Sequence, residues 1–76
     1  MERLIEILEN IITDIDVSTC TDLIDGRHLE SLDILELVMA MEDEFDVTIP
    51  AVEIVPENFN SATALWAMLL RLREDG

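Results

Sequence analysis

The chain has 76 residues, half of them hydrophobic, with 18 acids against four arginines and no lysine, for a net charge of −14. That length bounds it to one domain with a thin core, and the scarcity of aromatics (Phe45, Phe59 and Trp66) leaves the core to Leu, Ile, Val, Met and Ala, which suit helices. The charge repels phosphate backbones and anionic membrane surfaces, which excludes nucleic-acid binding, and it favours both solubility and steered encounter with basic partners.

Residues 2–13 are predicted to form the first helix, because Leu4, Ile5, Leu8, Ile11 and Ile12 recur at three- and four-residue steps. Glu2, Arg3, Glu6, Glu9 and Asn10 take its other side, and Ile7 falls at the edge. Residues 14–30 form a long connection, in which Asp14, Asp16, Ser18, Thr19, Thr21 and Asp22 compete with helix through local side-chain bonds. Val17, Leu23, Ile24 and Leu29 tie that connection to the core, and Asp25-Gly26 signals a turn. The central helix runs from Glu30 to Phe45 and ends before Pro50, which forces Ile49 out of helical geometry. Residues 51–55 are read as a short third helix that Pro56 stops. Asn60 and Ser61 are cap candidates for a last helix over residues 62–73, with Leu65, Met68, Leu69 and Leu72 on one stripe and Arg71 and Arg73 near its end. No segment alternates as a strand does, so the expected fold is all-α: a helix bundle with three main helices and one short one, in a single domain over residues 1–76.

Cys20 stands alone, which excludes an internal disulfide and fits a reducing compartment. No signal-peptide pattern follows Met1, and the run from Ala62 to Leu72 is too short for a membrane span and is interrupted by Thr63. A cytoplasmic monomer is therefore expected.

Ser31 heads the central helix and admits two readings. It is a typical N-cap residue, although Ile34 stands where a capping box needs Glu or Gln. A helix start also offers unpaired N–H groups and partial positive charge, so a phosphate attached there is stabilised. The apolar residues of this helix exceed what one buried stripe needs.

Other constellations carry less. His28 lies three residues before Ser31, but Ser31 lacks the flanking glycines of a nucleophile elbow and has no evident third partner, so no catalytic residue is assigned. Asp14-x-Asp16-x-Ser18 resembles the start of a calcium loop, yet Thr19 occupies the glycine position. A lone His and a lone Cys make no zinc site, so no metal is expected. Asp16 and Asp22 are expected to raise the pKa of Cys20 rather than activate it, and Trp66 reads as core or helix edge.

The run Glu30-Ser31-Leu32-Asp33, followed by Glu36-Leu37-Val38-Met39-Ala40-Met41-Glu42-Asp43-Glu44-Phe45 and then Ile49-Pro50, closely resembles the acyl carrier proteins. In that family an Asp-Ser-Leu motif opens the second helix, an acidic run ends in Glu-Phe, and Ile-Pro follows. The likeness is strongest over residues 30–50, and the helix order extends it over nearly the whole chain. It implies a four-helix bundle whose serine carries 4′-phosphopantetheine, placed there from coenzyme A by a phosphopantetheinyl transferase, with cargo held as a thioester. Carried onto this chain, the attachment residue is Ser31. Leu37, Met41 and Phe45 face inward with Ile34 or Leu35. Glu30, Leu32, Asp33, Glu36, Val38, Met39, Glu42 and Ile54 form the face read by acyl-loading and acyl-processing enzymes with basic patches. Leu32, Val38 and Met39 also admit a purely structural reading as core. Glu30 replaces the family's Asp, and Leu23 to Leu29 replace its usual approach to the serine, which is closer to free-standing carriers of specialised pathways. Two alternatives stand beside the acyl carrier: an aminoacyl or peptidyl carrier, including a D-alanyl carrier, and an unmodified acidic adaptor that binds a partner helix.

Overall fold

Leu4 and Leu8 lie four residues apart and are fully buried, which fixes the inward side of the first helix. The computed structural model describes residues 1–75, and its elements are α1 (Glu2–Ile11), α2 (Ser31–Phe45), a 3₁₀ turn (Ala51–Glu53), α3 (Pro56–Phe59) and α4 (Ala62–Asp75). Among the described residues there is no strand. The fold is the expected all-α arrangement of three long helices and a short one, with α1 packed on α2 and α4, and α3 packed on α4.

Local chemistry sets the ends of these elements. α1 stops two residues before the predicted end, because Ile12 turns extended, yet Ile12 stays buried and continues the core from outside the helix. α2 ends at Asp46, which adopts the left-handed conformation (φ 54°) and closes the helix through its N–H to the Glu42 carbonyl. The short helix is not where the sequence placed it. Residues 51–53 make only a 3₁₀ turn, and Pro56 begins α3 instead of ending a helix, since its missing N–H and preset φ suit a first helical position. Ser61 caps α4 as expected, its Oγ accepting the Ala64 N–H at 3.0 Å.

The core joins Leu4, Leu8 and Ile12 to Leu37, Val38 and Met41 of α2 and to Phe59, Leu65, Met68 and Leu69. The long connection contributes Val17, Leu23 and Leu29, so it lies on the core as its apolar residues predict. Phe45 and Trp66 meet edge to face, with centroids 5.8 Å apart, and tie the end of α2 to α4. Arg3 of α1 reaches Glu44 of α2 at 2.6 Å and Glu6 at 2.9 Å; its guanidinium holds Glu44 below the usual carboxylate range. None of these helices is long and apolar enough to cross a membrane.

Candidate functional site

The approach to α2 is built before the helix begins. Leu23 and Leu29 anchor the loop in the core, and the His28 and Leu29 N–H groups both donate to the Leu23 carbonyl, at 3.0 and 2.9 Å. Gly26 is required here by space: a Cβ would lie 2.7 Å from both the backbone oxygen and a carboxylate oxygen of Asp22. The left-handed position of the turn falls on the next residue, Arg27, at φ 61°. Asn60 fastens the loop to the head of α4, since its Oδ1 accepts the N–H groups of Ile24 and Asp25.

Ser31 is the first residue of α2, not its cap. Glu30 holds the N-cap position in extended conformation, and its N–H donates to Asp33 Oδ2 at 3.2 Å. The acid that completes the cap is thus Asp33, at the third helical position, where the sequence reading placed Ile34. This shift by one residue releases the Ser31 hydroxyl from capping. It is exposed, and no hydrogen bond holds it among the described residues. The first-turn N–H groups around it have no intrahelical acceptor and point along the positive end of the helix.

The other residues of the predicted face divide. Leu32 is 80% exposed and Met39 59%, both large apolar side chains open to solvent. Glu30 and Glu36 are exposed, Asp33 and Glu42 are half-buried, and Ile54 is exposed at the end of the 3₁₀ turn. Val38 is a correction: at 7% exposure it belongs to the core beside Leu37 and Met41, and so cannot be read from outside. Its place is taken by Leu35, which the sequence reading offered as an inward residue and which is 56% exposed. Leu32, Leu35 and Met39 follow an i, i+3, i+7 spacing and form one outward apolar stripe. That spacing was visible in the sequence, but so was the competing stripe through Ile34, Leu37, Met41 and Phe45.

Glu42 has a structural task as well. Its carboxylate accepts the Ile49 N–H at 2.9 Å and turns the chain into the segment that follows α2. On that segment Val52 and Val55 are exposed beside Ile54, two apolar residues that the sequence reading passed over. Arg71 of α4 holds the 3₁₀ turn by a two-pronged contact with Glu53, at 2.6 and 2.9 Å, which keeps the Glu53 carboxyl below the usual range. Arg71 is therefore engaged with Glu53, not only with the helix end.

Asp16 turns its carboxylate onto Ser18, accepting both the hydroxyl and the N–H, and these bonds lower its pKa. Cys20 donates its thiol hydrogen to Asp22 Oδ1 at 3.0 Å, and that bond, followed by burial, pushes the thiol up; of the two acids the sequence suggested, only Asp22 takes part. His28 is half-buried, not freely exposed.

Comparison with known proteins finds sequence relatives among carrier proteins. The chain is 42% identical over 64 residues to aminoacyl carrier protein 1 of Bradyrhizobium diazoefficiens, covering 84% of this chain and 70% of that protein. It is 45% identical over 42 residues to aminoacyl carrier protein 2 of the same organism, covering 55% of this chain and 47% of the relative. It is 51% identical over 45 residues to the acyl carrier protein of Bdellovibrio bacteriovorus, covering 58% of each. No family model matches the chain.

Proposed function

This chain belongs to the carrier protein family that includes acyl and aminoacyl carriers, and from that membership we propose that it holds acyl groups as thioesters on a 4′-phosphopantetheine arm attached to Ser31. The observation that carries the assignment is the displaced cap. Glu30 and Asp33 close the start of α2, so the exposed Ser31 hydroxyl is available at the helix head without a bond to break. In the transfer, Ser31 Oγ attacks the pyrophosphate of coenzyme A and forms a phosphodiester. Its proton passes to the transferase, and adenosine 3′,5′-bisphosphate leaves. The arm supplies a terminal thiol, while the chain supplies attachment and recognition and leaves the chemistry to visiting enzymes.

The helix start contributes only about 0.3–1 kcal/mol toward an anion at an exposed position, and the nearby acids oppose it. Attachment therefore rests on the covalent bond, and an arm held by the exposed Ser31 would be open to partner enzymes. Leu32, Leu35 and Met39, flanked by Asp33 and Glu36, form a small apolar stripe within an acidic surface. Charge steering toward basic patches, with a short apolar contact at the centre, suits partners that must also let go. Ile54 and Val52 extend the apolar surface offered after α2.

An aminoacyl cargo is the second reading, favoured because a relative matched over 84% of this chain is named an aminoacyl carrier. Incubation with coenzyme A and a broad-specificity phosphopantetheinyl transferase, followed by intact mass measurement, tests the attachment. A mass gain present in the native chain and absent in Ser31→Ala supports the carrier; no gain with several transferases leaves an unmodified acidic adaptor. Loading of the modified chain by amino-acid ligases against fatty-acid ligases separates the two cargoes.

A further inference from the structure

Outside the face of α2, the loop between α1 and α2 gathers three different ligand types. One ligand atom each from Cys20, Asp22 and His28 lies within 4.8 Å of the other two. Cys20 and His28 are half-buried and Asp22 is exposed, so the cluster lies at the surface with one side open to water. We propose that Cys20, Asp22 and His28 form a binding site for a divalent transition metal, best matched by Zn²⁺, with water as the fourth ligand.

The donor set selects the metal. A thiolate, an imidazole and a carboxylate are all ordinary zinc ligands, whereas Ca²⁺ and Mg²⁺ seek six or more oxygens and would find one carboxylate here. Tetrahedral zinc with bonds of about 2.0–2.3 Å sets neighbouring ligand atoms about 3.5 Å apart. The Cys20 Sγ to Asp22 Oδ1 distance is 3.0 Å, and the widest separation in the cluster is within 4.8 Å, so side-chain rotation alone closes the set. On binding, the Cys20 thiol releases its proton to solvent and its sulfur coordinates the ion. The thiolate and the carboxylate together cancel the charge of the metal, and the acidic surface of the chain raises the local concentration of cations.

The backbone carrying the ligands is already held in place. Cys20 N–H donates to the Asp16 carbonyl at 3.2 Å, Gly26 N–H to the Asp22 carbonyl at 2.6 Å, and His28 N–H to the Leu23 carbonyl at 3.0 Å. Leu23 N–H donates to the Asn60 carbonyl at 2.9 Å, which docks the middle of the loop on the start of α4. The absence of a side chain at Gly26 leaves Asp22 its space, and the left-handed Arg27 turns the chain so that His28 returns beside Cys20. The ion would therefore lock a loop that is preformed, next to the helix start that bears Ser31.

The test uses the full chain with Ser31→Ala, which removes any second thiol that an arm would bring. Titration with CoCl₂ is expected to give a thiolate-to-cobalt charge-transfer band that saturates at one equivalent and is displaced by ZnCl₂. A hundredfold excess of Zn²⁺ over its dissociation constant is expected to raise the Tm by on the order of 10 °C. It should also slow reaction of Cys20 with a thiol reagent by about tenfold or more. Cys20→Ser should abolish the band, and His28→Gln and Asp22→Asn should each weaken binding by about tenfold or more, while the metal-free far-ultraviolet spectrum stays unchanged. Absence of the cobalt band overturns the proposal. So does zinc stabilisation of equal size in Cys20→Ser and His28→Gln, which would mean cations gathering on the acidic surface.

Discussion

Asn60, at the head of α4, holds the backbone of Ile24 from 36 residues away: its Oδ1 accepts the Ile24 N–H at 3.0 Å and the Asp25 N–H at 3.1 Å. Its Nδ2 donates to Asp25 Oδ2 at 3.1 Å, and its own carbonyl takes the Leu23 N–H. One side chain thus fastens the loop that leads to Ser31 onto a helix remote in sequence.

Asn60→Ala leaves the Leu23 bond in place but strips two N–H groups of their acceptor. Urea unfolding should show a loss of about 1–3 kcal/mol. Amide exchange at Ile24 and Asp25 should accelerate more than at buried Leu8. A uniform acceleration across the chain would show that Asn60 supports the fold generally and does not pin this loop.

Neighbouring positions on α2 should respond in opposite ways. Val38→Ala removes buried methyl groups and should cost about 1–3 kcal/mol of stability. Leu35→Ala and Met39→Ala touch exposed side chains and should stay within about 0.5 kcal/mol of the native chain. The same two changes should slow Ser31 modification by the transferase, and added salt should slow it further by screening the acids. Unchanged kinetics in the Leu35 and Met39 variants would remove the stripe from the partner face.

Asp46 terminates α2 in a conformation that costs a residue with a Cβ, and its charge faces the negative end of the helix. Asp46→Gly should stabilise the chain by about 0.5–1 kcal/mol, read as a higher Tm, whereas Asp46→Ala should not. Equal effects of the two substitutions would mean that charge, not backbone conformation, governs this position.

Arg71 holds the Glu53 carboxyl below the usual range. A carboxylate lowered in the folded state contributes stability that is complete above its unfolded pKa and is lost as pH falls through the folded one. Acidification through that window should therefore loosen the segment carrying Val52 and Ile54. Arg71→Gln should move the Glu53 titration, followed by carboxyl carbon NMR, upward toward the usual range. A titration unmoved by this variant would contradict the pairing.

The sequence by itself determined the helical class, the length of α2 and the presence of a serine at its head. These follow from local periodicity and from residues, such as Pro50, that act on the backbone whatever surrounds them. It also marked Leu4 and Leu8 as inward, because the stripe they share on α1 has no rival. What only the tertiary structure decided was which of two stripes on α2 is covered. Apolar residues occupy more than half of that helix, so Val38 goes inward and Leu35 outward according to the neighbours packed against it. The cap on α2 was equally out of reach: whether Glu30 or Ser31 stands at the boundary depends on how the loop arrives, and that is settled by Leu23, Leu29 and Asn60. The cluster of Cys20, Asp22 and His28 has the same origin, since eight residues of loop set no distance between a thiol and an imidazole until a turn at Gly26 and Arg27 closes it.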